Sequence, residues 1–115
     1  VEVSSDGNAF ARFPVSCAND AAVTSFAYID PTQYGGFAGL HAAGTGTAFD
    51  LAQLASTAGV INGSVDLRAI RYIRIVDVVG DGSELDSQGR PIYDPYPTTG
   101  TAGFDLNAVG VLVSP

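Results

Sequence analysis

Short apolar runs separated by glycine and proline are the feature that most constrains how this chain folds. The 115 residues include 14 Gly and 6 Pro. Many short strands joined by turn residues are typical of an all-β sandwich or barrel. A chain of this length supplies one hydrophobic core, not two. The sequence therefore predicts a single all-β domain spanning residues 1–115.

The first thirteen residues predict a β-hairpin. Val1–Val3 alternates apolar and acidic side chains, Asp6 and Gly7 follow, and Phe10–Phe13 reads as the return strand. Asp-Gly between two such runs is a strong short-range hairpin signal. A second β-prone run covers residues 22–29, and residues 31–47 read as a long irregular segment.

Two later runs, residues 70–79 and 104–113, predict the central strands of the domain. Both are rich in β-branched residues and carry apolar side chains at odd and even positions. Strands buried on both faces show this pattern, whereas half-exposed strands alternate. We expect the two runs to lie side by side with both faces covered.

One short helix is predicted at about 50–58. Asp50 is a candidate N-cap, and Gln53 three residues later completes a capping-box pattern. Leu51 and Leu54 would form one apolar face, and Gly59 would suit a C-cap.

Residues 80–103 show neither helical nor strand periodicity, which predicts a long loop between the two central strands. Loops of this length are uncommon in small domains and are usually functional or disordered. Three prolines and two tyrosines lie within it. These residues favour a stiff loop over a mobile one.

The charge balance excludes several classes of partner. Twelve acidic residues face five arginines with no lysine, giving a formal net charge of −7. Such a chain repels nucleic-acid phosphates and anionic lipid headgroups. No apolar run approaches 18 residues, so we expect no membrane insertion. We therefore predict no nucleic-acid partner.

The residues most often used in catalysis are scarce. Cys17 is the only cysteine and His41 the only histidine. Cys17 cannot form an intrachain disulfide, and its most common role is that of a small buried apolar residue. His41 lies in a Gly- and Ala-rich stretch that predicts an ordinary polar loop. We predict that the protein is not an enzyme.

Carboxylates collect in and beside the 80–103 loop. Asp77 and Asp105 would meet at one end of the sheet if the two central strands are neighbours, and like charges that close need a positive group between them. Arg74 or Arg90 could supply it, and so could Ca²⁺. Ca²⁺ takes six to eight oxygen ligands, so Asp77, Asp94 and Asp105 are candidate ligands and Asp81 is a weaker one. A solvated acidic loop with Asx-turns is an equal alternative. A carboxylate pair for glycoside hydrolysis is a weaker one.

Four sequence blocks resemble a family of bacterial cell-surface proteins, many of which carry PEP-CTERM sorting tails. The family patterns are VEVSSDG followed by RFP, VRIVDVVG, DSQGNPI.DP.PT and GFDLDAVGV. They correspond to Val1–Gly7 with Arg12–Pro14, Ile73–Gly80, Asp86–Thr98 and Gly103–Val111.

The resemblance implies an extracellular location and a jelly-roll, galactose-binding-like sandwich that often carries structural Ca²⁺. The family usually has Asp at the position of Asn107, whose carbonyl oxygen still makes it a weaker candidate ligand. Relatives also place further strands upstream of the VEVSSDG block. We therefore expect this domain to lack N-terminal strands, which another chain or subunit would supply.

These patterns favour a Ca²⁺-stabilised structural protein of the cell surface or extracellular matrix. Its partners would be other protein chains or copies of itself, joined by strand addition into a filament or larger assembly. The alternative is a carbohydrate-binding module for an extracellular polysaccharide. Its stacking platforms would be Tyr93, Tyr96 and Tyr34.

Overall fold

The computed structural model describes residues 1–41, 44–100 and 104–113. These residues form short strands and little helix, which confirms the all-β class. The strands make one three-stranded and three two-stranded sheets. They are β1 (Glu2–Ser4), β2 (Ala11–Arg12), β3 (Ser16–Cys17), β4 (Val23–Thr24), β5 (Tyr34–Gly35), β6 (Tyr72–Arg74), β7 (Asp81–Leu85), β8 (Pro91–Tyr93) and β9 (Pro95–Tyr96).

The three-stranded sheet has the order β2-β1-β6 and contains the predicted hairpin. β1 pairs antiparallel with both neighbours, so that Val3 faces Ala11 on one side and Ile73 on the other. The turn after β1 is closed by Asp6, whose Oδ1 accepts from the backbone N–H groups of Asn8 and Ala9. The prediction of an N-terminal hairpin is confirmed.

Short helical turns lie between β5 and β6. A 3-10 helix covers Leu51–Leu54, the α-helix α1 covers Ala58–Ile61, and another 3-10 helix covers Leu67–Ala69. Asp50 caps the first, as predicted, by accepting from the N–H of Ala52 at 2.9 Å. A further 3-10 helix, with Asp30 as its cap, precedes β5.

The prediction of one helix over about 50–58 is wrong in two respects. Thr57 is in an extended conformation, and its hydroxyl donates to the carbonyl of Leu54, which ends the first turn of helix. The chain then restarts as α1, and Gly59 lies inside α1 instead of capping a helix.

The buried core lies between the three-stranded sheet and these helical turns. Its buried members are Val3, Ala11, Phe13, Leu54 and Val65. Phe13 also packs against Phe49, with ring centroids 5.1 Å apart. The core is therefore built by the N-terminal hairpin and the helical segment.

The predicted loop over 80–103 is largely a hairpin. β7 and β8 pair antiparallel, with Asp81 opposite Tyr93, and β9 pairs in parallel with β4. The hairpin has Gly82, Ser83 and Glu84 along β7, so its sequence lacks the apolar alternation that marks a strand. Residues 101–103 of the predicted loop lie outside the described residues.

The prediction of two neighbouring, buried central strands is wrong. Within 70–79, Tyr72–Arg74 forms a strand, and all three of its residues are exposed at the edge of the sheet. Residues 104–113 are exposed throughout and have no strand assignment. Burial on both faces requires other elements to cover a strand, and among the described residues β6 pairs only with β1, at the edge of the sheet.

Candidate functional site

An open cleft of about 370 Å³ lies between the three-stranded sheet and the sheets made by β3, β5, β7 and β8. Its walls are mainly apolar. On one side lie residues 75–78, which continue from β6, together with Val1. The other side includes Val15, Phe37 and Ile92, and Phe104 also lines the cleft. The cleft contains two of the residues that the sequence marked as metal ligands, Asp77 and Asp94.

Asp77 and Asp94 are the two predicted ligands that the structure brings together in this cleft. Burial raises the pKa of the Asp94 carboxyl, and the charge of Asp77 raises it further. Asp94 also packs closely against Gly80, where a Cβ would collide with its carboxylate. The pair is therefore a point of like-charge repulsion.

The other predicted ligands have different surroundings. Asp81 caps a turn by accepting from the N–H of Ser83 at 2.9 Å, as the Asx-turn alternative predicted. Asp105 and Asn107 are exposed. Within residues 1–41, 44–100 and 104–113, no three His, Cys, Asp or Glu side chains gather closely enough to hold a metal ion. The Asp77–Asp94 pair alone could offer two to four of the six to eight oxygens that Ca²⁺ takes.

Two of the three predicted stacking tyrosines, Tyr34 and Tyr93, make contacts within the protein. The Tyr34 hydroxyl donates to the carbonyl of Tyr93 at 2.5 Å and accepts from the Asn19 amide. The Tyr93 ring packs over Gly82 of the paired strand. Tyr96 is the exposed member of the set. Tyr34 and Tyr93 therefore join β5 to β8.

A more exposed aromatic group lies on the turn after β4. Phe26 and Tyr28 are 79% and 88% exposed. Phe26 has a φ of +60°, in the left-handed region that bulky residues rarely adopt. The hydroxyl of Ser25 donates to the carbonyl of Pro97 and fastens this turn beside β9. Nothing in the sequence pattern distinguishes these aromatics from core residues.

A charge cluster that the sequence did not indicate crosses the three-stranded sheet. Glu2 is buried, and its two oxygens accept from Arg12 Nε at 2.7 Å and Arg74 Nε at 2.6 Å. Arg74 also lies over the Phe10 ring, 3.8 Å from its centroid. Burial raises the pKa of Glu2, but the two guanidinium groups outweigh it and the pKa is lowered. Only the register of three strands brings these residues together, so sequence spacing could not reveal them.

Asp86 is a second buried carboxylate, at the turn between β7 and β8. Its oxygens accept from the N–H groups of Cys17, Gln88 and Arg90 and from the Arg90 guanidinium. In the sequence, Asp86 lies four residues before Arg90 with Gly89 between them. This spacing predicts a tight turn, but it does not identify Cys17 as a partner of Asp86.

The scarce reactive residues lie in different environments. Cys17 is buried and free of any disulfide, which confirms the prediction of a small buried residue. His41 is exposed. Among the helices that the described residues contain, none is long and apolar enough to cross a membrane.

Comparisons with protein-family models, with curated proteins and with solved structures found no match to the chain.

Proposed function

We propose that this chain is a structural protein of the cell surface or extracellular matrix and works as a subunit of a filament or larger assembly. It has no enzymatic role in this proposal. The observation that carries it is the combination of an open apolar cleft with an exposed apolar segment, residues 104–113, in one small chain. Covering either surface removes apolar area from water, which is favourable, and another chain can cover both.

The area left in contact with solvent supports the proposal. The chain exposes 7856 Å², whereas a folded monomer of this mass exposes about 5,900 Å². The difference is as large as the surface that a stable protein interface buries, about 1,600 Å². A jelly-roll-like sandwich completed by strands of another chain would remove that excess. The extracellular location rests on the resemblance carried by the four sequence blocks.

Sedimentation of the 115-residue chain over a range of concentrations tests the proposal. We expect species larger than the 11.8 kDa monomer and bright fluorescence from a dye that binds exposed apolar surface when the chain is dilute. A monomer that stays folded, melts cooperatively and binds no dye would contradict the proposal.

A carbohydrate-binding module is the second candidate, favoured by the exposed aromatics Phe26, Tyr28 and Tyr96. Aromatic faces stack on the apolar faces of sugars, and the turn that holds Phe26 is fixed beside β9. Retention on an insoluble neutral polysaccharide should fall in Tyr28→Ala. Tyr72→Ala, which removes an exposed tyrosine from β6, is the matched control. Equal retention of both variants and the wild type would exclude this platform.

Calcium is a further part of the proposal, restricted to the Asp77–Asp94 pair. Ca²⁺ there would neutralise two carboxylates that repel each other, with backbone carbonyls and water as the remaining ligands.

A further inference from the structure

We propose that residues 104–113 of one copy lie parallel to residues 70–79 of the next copy, so that identical chains join head to tail. This inference rests on the proposed function, because it specifies which surfaces would join the subunits. It names residues 104–113 as the donor strand and the free edge of β6 as its acceptor.

The donor segment has the properties of a strand without a partner. All ten of its residues are exposed, and the side chains of Val111, Leu112 and Val113 are 80%, 94% and 84% exposed. It carries one charge, that of Asp105. In an extended chain alternate side chains share a face, so Val109, Val111 and Val113 form one β-branched face and Leu106 and Leu112 lie on the other.

The acceptor is the edge of the three-stranded sheet. Within the described part of the chain, β6 pairs through one edge, with β1, and its other edge carries no strand. Tyr72 and Ile73 are exposed there. The chain continues from β6 along the apolar cleft through residues 75–78. An added strand would pair with the free edge of β6, and side chains from one of its faces would enter the cleft.

Charge decides the direction of the added strand. The two runs are ten residues each, so a parallel alignment places Asp105 opposite Arg71, which is exposed. An antiparallel alignment places Asp105 opposite Val78, on the face opposite to Asp77. The parallel alignment pairs opposite charges, whereas the antiparallel one leaves Asp105 and Arg71 without that pairing.

The same reasoning selects a second copy over the chain's own segment. Phe104 lines the cleft together with residues 75–78, so the segment begins near the C-terminal end of its own 70–79 run. To pair there it would have to run antiparallel, which would leave Asp105 opposite Val78 and away from Arg71. A second copy has no such constraint. Because donor and acceptor are different surfaces, the contact is heterologous and generates a ring or an open filament.

Two inactivating variants test the head-to-tail arrangement. Leu112→Asp blocks the donor and Ile73→Asp blocks the acceptor. Each alone should sediment as a monomer, whereas an equimolar mixture should form 1:1 dimers and nothing longer. Ile61→Asp, a change at an exposed apolar residue of α1, should assemble like the wild type. Mixtures that remain monomeric would overturn the inference, provided that circular dichroism shows Ile73→Asp to be folded.

Exchanging the charges of Arg71 and Asp105 tests the parallel register and does not require Ile73→Asp to fold. Arg71→Asp should raise the dissociation constant roughly fivefold, the effect of losing an exposed ion pair, and the double variant Arg71→Asp with Asp105→Arg should restore it. Arg68→Asp with Asp105→Arg is the matched control, and its dissociation constant should stay raised. A double variant no tighter than Arg71→Asp would overturn the parallel register.

The outcomes separate the two proposals. If the wild type forms assemblies and Leu112→Asp forms them equally well, residues 104–113 are not the donor, but assembly stands. If the wild type is a monomer at every concentration, this inference and the proposed function both fail.

Discussion

The carboxylate of Asp86 accepts a hydrogen bond from the backbone N–H of Cys17, 69 residues earlier in the chain, at 2.9 Å. The bond fastens the turn of the β7–β8 hairpin to β3. The backbone N–H of Ser87 also donates to the carbonyl of Val15, and the Ser87 hydroxyl accepts from the N–H of Val15. This polar contact orients the wall of the cleft that carries Ile92 relative to the N-terminal hairpin.

Replacing Asp86 by Asn should lower the melting temperature more than the same change at the exposed Asp20. In Asn one carboxylate oxygen becomes an NH₂ group, which would face the Arg90 donors or the backbone N–H groups of the turn. A buried donor facing another donor is left without an acceptor. Asp20→Asn is the matched control. Equal melting temperatures for the two variants would contradict a structural role for Asp86.

Asp86 should also make stability fall in acid. Burial raises the pKa of this carboxyl, but the hydrogen bonds from Cys17, Arg90 and Gln88 outweigh it and hold the pKa well below its ordinary value. A group with a lowered pKa stabilises the fold above its unfolded pKa and loses that effect as pH falls. The melting temperature of the wild type should therefore drop from about pH 4 downward. The drop should be smaller in Asp86→Asn, and parallel curves for the two proteins would contradict this.

Leu54→Ala should cost about 2–5 kcal/mol of unfolding free energy, the range for removing a large buried aliphatic side chain. Leu54 is 0% exposed and packs in the core with Val3 and Phe13. Ile61→Ala, at a site 73% exposed, should change stability by no more than about 0.5 kcal/mol. Chemical denaturation of both variants makes the comparison. Similar losses would mean that the core does not lie where the structure has it.

Glu2→Gln should destabilise the fold by about 1.5–3 kcal/mol, the range for hydrogen bonds to charged groups. The amide can accept from one of Arg12 and Arg74, but its NH₂ would face the other. Glu84→Gln, at the second glutamate of the chain, is the control. Denaturation in low and high salt checks the result, and we expect the loss to persist in salt because Glu2 is buried. A loss that disappears in salt would contradict a buried ion cluster.

Sequence reasoning succeeded where the signal was local. Asp50 as an N-cap and the hairpin around Asp6-Gly7 depend on residues a few positions apart, and both are confirmed. Turn and cap chemistry acts over that distance and does not depend on the rest of the fold.

Sequence reasoning failed where the structure depends on pairing between segments far apart in the chain. Apolar residues at odd and even positions predicted burial for 70–79 and 104–113, but burial also requires covering strands, and composition cannot supply those. The contact between Asp77 and Asp94 arises because the β7–β8 hairpin returns the chain to residue 77. The predicted meeting of Asp77 with Asp105 depended on a pairing that did not form. A periodic pattern shows which faces of a segment favour burial, but it does not identify the segment that packs against them.

Asp94→Asn distinguishes two effects of the Asp77–Asp94 pair: mutual repulsion, which destabilises the fold, and Ca²⁺ binding, which would stabilise it. With a chelator at pH 7, the variant should melt higher than the wild type, because burial and Asp77 raise the pKa of Asp94. The folded chain then binds this proton more tightly than the unfolded chain, so stability falls as pH rises through the folded pKa. The advantage of the variant should vanish below about pH 4, where the carboxyl is protonated in both states.

Adding Ca²⁺ should reverse that order if the pair binds the ion. A ligand at a hundredfold excess over its dissociation constant stabilises a fold by about 2.7 kcal/mol, and Asp94→Asn should gain little. Asp20→Asn should respond to Ca²⁺ like the wild type. Identical wild-type midpoints with Ca²⁺ and with chelator would exclude calcium at this pair. A lower midpoint for Asp94→Asn in chelator would mean that the ionised Asp94 stabilises the fold despite its neighbour Asp77.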